Sequence, residues 1–317
     1  MKHNTDCFCG IDFQRDYFSA VQYSLKERAV TLISIQPFPA EKSTEEWKVW
    51  RRELKNGRSR LRLFCPSISS SIPAQYAVIK LLTIDANEPS VEDALKWELT
   101  QHLVGEPDDF VFDVQEMVGI ATERTRTFLL AAYRRTLVEQ TADMIRNSGF
   151  EPLAIGLDIF GLINVFEANY RECLAVPCLL VHCEETTTKL VLSRGGEFLE
   201  FHCFNNHDDV TDEKNFAAAV ASEIKRFCRD RTPEAIYATG SWFQQIPRQE
   251  TFFKTVKGAE LLNPFRKVSC QIAVGDQQLR EYSTQLAVAV GLALQRAHAI
   301  AEAGLAVTKS QGLEVAA

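Results

Sequence analysis

Twice in this chain, once near the start and once past the middle, an apolar strand runs into a tight turn and returns as a second strand. The first unit covers residues 8–13, a turn of Gln14, Arg15 and Asp16, and residues 17–23. The second covers residues 178–182, a turn of Cys183, Glu184, Glu185 and Thr186, and residues 187–193. A hairpin repeated at such wide spacing predicts a chain built from two similar halves. What the turns contain then decides which chemistry the halves support.

At 317 residues, 46% hydrophobic and 24% charged, the chain has the length for two domains and the composition of a soluble globular protein. A net charge of −7 argues against general nucleic-acid binding, which needs a basic face. The basic cluster of Arg51, Arg52, Lys55, Arg58, Arg60 and Arg62 reads as a solvated helix end and loop. Nine cysteines without a CxxC pair fit buried thiols in a reducing compartment. Cys7 with Cys9, and the pairs His182-Cys183 and His202-Cys203, invite a metal reading, which is disfavoured for the two pairs since adjacent strand residues point to opposite faces. The six histidines form no HExxH or triad spacing. The N-terminal residues predict no signal peptide, and no run reaches the ~18 apolar residues of a membrane helix.

Periodicity then orders the rest. Residues 30–35 predict a strand, 43–54 a helix ended by Asn56-Gly57, and 61–65 and 76–84 strands separated by a Ser-rich loop at 67–71. Pro89-Ser90 opens a helix whose Val91, Ala94, Leu95, Leu99 and Leu103 share one face. Strands are expected at 110–117 and 125–133, a helix at 137–148, a strand at 153–158 and a helix at 160–170. In the second half, strands 178–182, 187–193 and 198–204 precede a helix at 211–229. A short strand at 236–239 then runs into Gly240-Ser241, and the last helix covers 283–297. Residues 61–149 read as a small α+β insert in the first half, and 300–317 as a flexible tail.

Residues 76–117, reading YAVIKLLTIDANEPSVEDALKWELTQHLVGEPDDFVFDVQEM, resemble the insert domain of the PilM family of type IV pilus assembly proteins. The resemblance continues, in order, through Phe128-Leu129-Leu130-Ala131-Ala132, Ser148-Gly149-Phe150-Glu151-Pro152, Leu157-Asp158, Asn263-Pro264-Phe265 and the apolar run 286–294. It implies an α/β, actin-like (ribonuclease H-like) two-lobed fold with an inserted small α+β, FtsA-like domain. The expected division is 1–60 plus 150–176 for the first lobe, 61–149 for the insert, and 177–299 for a shortened second lobe. It further implies a cytoplasmic protein held at the inner membrane by a PilN-like single-span partner. The partner's short tail would bind beside the insert domain, with other pilus or secretion components assembling around it. A homo-oligomer is compatible with the sequence. On the insert's first strand and helix, Ile79, Leu81 and Trp97 are the candidate partner-binding residues.

The turns depart from what the resemblance implies. A phosphate-binding turn needs Gly, because only bare backbone brings its N–H groups close to phosphate oxygens. The first turn instead carries Gln14 and Arg15 after Asp12, and the second presents His182 and Glu184 where the family has Asp and Gly. A carboxylate about 5 Å from a phosphate charge costs about 3 kcal/mol, roughly a hundredfold in affinity. The glycine pair that holds adenosine is reduced to Gly240 before Ser241, and the stretch 204–216 is too short for a nucleotide-closing subdomain. The expectation is a scaffold with a degenerate pocket at Asp12, Gln14, Arg15, His182, Glu184, Gly240 and Ser241, no catalytic residue and no resident cofactor, ATP and Mg²⁺ being disfavoured. An active ATPase or kinase of the same fold, and a GspL-like type II secretion component, are the alternatives.

Overall fold

Strand burial in this chain is nearly continuous at the two hairpins, which places both of them between covering layers. The computed structural model describes residues 6–38, 46–61, 65–117, 122–195, 197–206, 212–272, 279 and 282–295. In chain order the elements are β1 (Cys7–Phe13), β2 (Tyr17–Ser24), β3 (Ala29–Pro37), α1 (Glu46–Leu61), β4 (Ser67–Ile72), β5 (Ala77–Asp85), α2 (Val91–His102), β6 (Phe110–Glu116), β7 (Thr125–Arg134) and α3 (Arg135–Asn147). They continue with β8 (Glu151–Leu157), α4 (Asp158–Asn169), β9 (Cys178–Cys183), β10 (Thr187–Arg194), β11 (Glu197–Asn205), α5 (Glu213–Phe227), β12 (Ala235–Thr239), α6 (Ile246–Thr255), β13 (Ala259–Leu261) and β14 (Ser269–Cys270). A last helix, α7, covers 282–295.

Two sheets carry the hairpins, in the orders β14-β3-β2-β1-β4-β8 and β11-β10-β9-β12-β13. Each pairs an antiparallel hairpin with a parallel neighbour, β4 beside β1 and β12 beside β9. Strand alternation then sorts the cores. Cys9, Ile11 and Ile68 turn outward to Trp50 and Leu54 of α1 and Met144 and Ile145 of α3. Leu179, Val181, Leu190 and Leu192 turn outward to Phe216 and Val220 of α5 and Phe252 of α6. The inner faces of both sheets close on α4 and α7, joining Val21 and Ile72 to Leu180, Val191 and Tyr237. This contact is tight: a Cβ on Gly291 of α7 would collide with the carbonyl of Gly161 in α4, and one on Gly10 with the backbone of Ala289 and Ala293.

The third sheet, β5-β7-β6, is antiparallel. Leu95 and Leu99 of α2 cover one face, against Leu82, Ile84, Phe128 and Leu130. The face bearing Ile79, Leu81, Leu129 and Ala131 turns to α4 and the large core. Within the expected insert of 61–149, this sheet and α2 occupy 77–134, whereas β4 pairs into the first sheet and α3 packs under it.

Three local expectations need correction. The Ser-rich segment 67–71 is no loop but the strand β4, between β1 and β8. Its small side chains suit a strand covered on both faces, with Ser69 in register with Gly10, where α7 comes closest. The strand expected at 61–65 does not hold at its ends: α1 runs through Asn56-Gly57 to Leu61 and Cys65 lies outside any strand, while 62–64 are outside the described residues. The Gly57 stop fails because propensity costs only about 1 kcal/mol per glycine in a helix interior, and Val49, Trp50 and Leu54 bury the face of this helix. Beyond these, the tail at 300–317, Gly196 and residues 207–211 of the short loop fall outside the described residues.

Candidate functional site

The two hairpin turns meet between the lobes, and Glu184 is the point on which they converge. It follows β9 directly, and its N–H closes the second hairpin by donating to the Thr187 carbonyl at 2.9 Å. Its carbonyl accepts from Asn206 Nδ2 at 2.6 Å. With backbone and turn fixed in this way, the side chain points inward and is 4% exposed. Tyr17, the first residue of β2, reaches across from the other lobe and donates its hydroxyl to both carboxylate oxygens at 3.2 and 3.3 Å. His182 Nε2 lies 2.8 Å from Oε1. Ser241 donates twice, from its hydroxyl at 2.6 Å and from its backbone N–H at 3.2 Å.

Burial alone would raise the pKa of this carboxylate. The hydrogen bond and charge of His182, helped by Ser241, outweigh it and hold Glu184 below the ordinary carboxylate range. Gly240 positions Ser241: its N–H donates to the Thr284 carbonyl at 3.0 Å, its φ is 110°, and a Cβ there would strike the Cys183 backbone. Close strand packing and a positive φ therefore account for this glycine without any adenosine contact.

Beside this cluster lies Asp12, 2% exposed, accepting from Ser71 Oγ at 2.6 Å and Gln14 Nε2 at 2.7 Å. Burial pushes its pKa up, the Ser71 bond opposes that, and the Asp158 charge adds to the rise. His182 acts electrostatically on Asp12 as well as on Glu184, so the two buried clusters are neighbours between the lobes. Trp50 Nε1 donates to the Gln14 carbonyl at 2.8 Å and fixes the turn. Arg15 is exposed at its tip. A second link joins the lobes: Lys189 of β10 lies 2.5 Å from Asp158 at the start of α4, both buried. The other Asp158 oxygen accepts the N–H groups of Ala74 at 3.0 Å and Ile159 at 2.8 Å. Burial works against the Lys189 charge, but Asp158 more than offsets it and the ammonium pKa is raised.

Of the seven residues expected at the pocket, Asp12, Gln14, His182, Glu184, Gly240 and Ser241 therefore come together, and Arg15 stands outside. Tyr17, Ser71, Asp158 and Lys189 were missed by sequence reasoning. Lys189 carried a usable signal, since it stands two positions before Val191, on the strand face that turns inward, where an unpaired lysine is rarely tolerated.

A second concavity opens beside the third sheet. It is a groove of about 330 Å³, walled by Met117, Leu129 and Ala131, by Phe160 and Ile163 of α4, and by Phe198 of β11. Phe160 and Phe198 meet edge to face at 6.2 Å. Asp113 and Glu167 are its acidic members, and burial pushes Glu167 up to about 7. Ile79 and Leu81 lie on this sheet face, in register with Ala131 and Leu129. Trp97 does not join them: it sits on α2, over the opposite face, and is 62% exposed. The three expected partner-binding residues are thus divided by the sheet, because the helix face opposite Leu95 and Leu99 cannot reach the groove.

Among the described residues no helix is long and apolar enough to cross a membrane, and no three His, Cys, Asp or Glu side chains are grouped to hold a metal. No protein-family model matches the sequence, and no curated protein is significantly similar to it. Solved structures do resemble it. A PilM–PilN type IV pilus biogenesis complex superposes with a TM-score of 0.76 at 18% identity, covering 91% of this chain and 98% of that one. A Bacteroides thetaiotaomicron protein of actin-like ATPase fold superposes at 0.51 and 10% identity, over 89% and 98%. The ethanolamine utilization protein EutJ of Carboxydothermus hydrogenoformans does so at 0.51 and 12%, over 91% and 89%. The chain has the actin-like fold.

Proposed function

We propose that this protein is a scaffold of type IV pilus or related envelope assembly machinery, which binds the cytoplasmic tail of a PilN-like inner-membrane protein. The groove between the third sheet, α4 and β11 carries this reading. Its lining mixes Phe160, Ile163 and Phe198 with Gln115, Asn164 and Gln295, which suits an extended peptide that sets an apolar anchor among polar residues. Glu167 and Asp113 suit a basic residue of the same peptide, and no ion-pair partner of either is found among the described residues. The likeness to a PilM solved with PilN, extending over nearly the whole of both chains, supports the same assignment. In this reading the protein works in the cytoplasm and reaches the membrane through its partner, and its cleft turns over no nucleotide.

The test is a fluorescence-anisotropy titration with a labelled peptide of the partner's cytoplasmic tail. Saturable binding in the micromolar range, worth about 8 kcal/mol, is expected for the wild type. Phe160→Asp, with an unchanged melting profile, abolishes it, and Trp97→Ala leaves it intact. Equal binding by Phe160→Asp, or loss on Trp97→Ala alone, sinks the groove assignment.

A further inference from the structure

We infer that Glu184 is a built-in anion: its carboxylate fills an oxyanion cradle formed by both lobes and fastens them together without a bound ligand. Four donors from three separate segments aim at one point: the Tyr17 hydroxyl, the His182 imidazole, and the hydroxyl and N–H of Ser241. Such convergence of a backbone N–H, hydroxyls and an imidazole is the chemistry that binds phosphate or carboxylate. Here the occupant is a side chain of the same molecule. Tyr17 belongs to the first lobe and the other donors to the second, so the carboxylate bridges the two lobes.

The fold class includes a protein of ATPase fold, and the residues of this cleft do not fit a triphosphate with its magnesium. Every cradle donor is already aimed at Glu184, Asp12 adds a second buried carboxyl, and neither turn has glycine at its tip. Seating a phosphate would bring it against a carboxylate held by these donors. Expelling that carboxylate would in turn leave it buried without partners. The cleft is therefore closed by its own sequence. The cradle still has a defined specificity, for small oxyanions, which becomes visible once the carboxylate is removed.

Chemical rescue tests this directly. In Glu184→Gly, the melting temperature is expected to fall by roughly 5–10 °C, the size of a shift that several lost hydrogen bonds produce in a chain of this length. Inorganic phosphate or acetate, at about a hundredfold above its dissociation constant, is expected to restore at least half of that loss. Sodium chloride at equal ionic strength restores none, and the wild type is insensitive to all three. Glu184→Gln, which keeps the cradle filled, folds and is not rescued; Glu184→Ala, which also empties the cradle and is expected to be rescued in the same way, serves if the glycine variant is too unstable to study. Ser241→Ala added to the glycine variant weakens the rescue at least fivefold. Absence of anion-specific rescue in the glycine variant overturns the inference. So does a wild type that binds ATP and Mg²⁺ with micromolar affinity. Neither result bears on the groove, which lies on a different surface.

Discussion

Replacing Lys189 by Met removes one half of the buried Lys189–Asp158 pair while keeping the length and apolar stem of the side chain. Lys189 is 2% exposed and Asp158 1%, and the atoms are 2.5 Å apart, so the lost partner cannot be replaced by solvent. Asp158 keeps its bonds from Ala74 and Ile159 but becomes a buried charge without a counterion. Breaking such a pair from one side costs about 3–5 kcal/mol. In urea unfolding at neutral pH the midpoint is expected to fall accordingly, with an unchanged slope. Asp158→Asn, which strands the ammonium instead, costs a similar amount. The double variant Lys189→Met with Asp158→Asn leaves no charge, and Asn can still accept the two backbone bonds. It is expected to be more stable than the sum of the single losses by about 2–3 kcal/mol. A single-variant cost under about 1 kcal/mol, or strict additivity, would refute the view that this pair is a buried joint between the lobes.

Three further outcomes follow from the same geometry. Glu167 has a folded pKa raised from 4.5 to about 7, so the unfolded chain ionises first and wild-type stability is lost as pH rises between those values. Glu167→Gln should match the wild type near pH 4 and exceed it by up to about 3 kcal/mol at pH 8 in thermal or urea melts, with equal stability at both pH values counting against a buried carboxyl. Glu184 behaves oppositely: its folded pKa is depressed, so its contribution is present above the unfolded value of about 4.3 and disappears as pH falls through the folded one. The stability gap between wild type and Glu184→Gln should therefore close in acid, and a gap constant down to pH 2 would contradict the assignment. Gly291→Ala places a methyl group against the Gly161 carbonyl and should cost about 3 kcal/mol or more by calorimetry, whereas a cost below about 1 kcal/mol would mean that α4 and α7 can separate freely.

Strand alternation made the two hairpins and the insert's strands legible before any coordinates, because each has one period and one buried face or two. It failed at β4, where serine reads as loop. Composition records solvation, not the lack of room between α7 and α3 that selects small side chains there. It failed again at Gly57, a weak stop inside a helix whose buried face decides the matter. At the cleft, the residues standing where glycine was expected were identifiable one by one. Their joint role was not, since Tyr17 and Glu184 are 167 positions apart and Glu184 and Ser241 are 57 apart. Local pattern carries no information about contacts at that range. The grouping of Trp97 with Ile79 and Leu81 was not legible for the converse reason: a large aromatic draws attention by type, while its place on the solvent side of α2 depends on which face of the third sheet the helix covers.

The most direct measurement is hydrogen–deuterium exchange with and without the partner's tail peptide. Slowed exchange in 111–117, 127–133 and 158–167, with the two hairpin turns unchanged, is the expected result. Protection of the turns at 14–16 and 184–186 instead, or none anywhere at saturating peptide, would contradict binding in the groove.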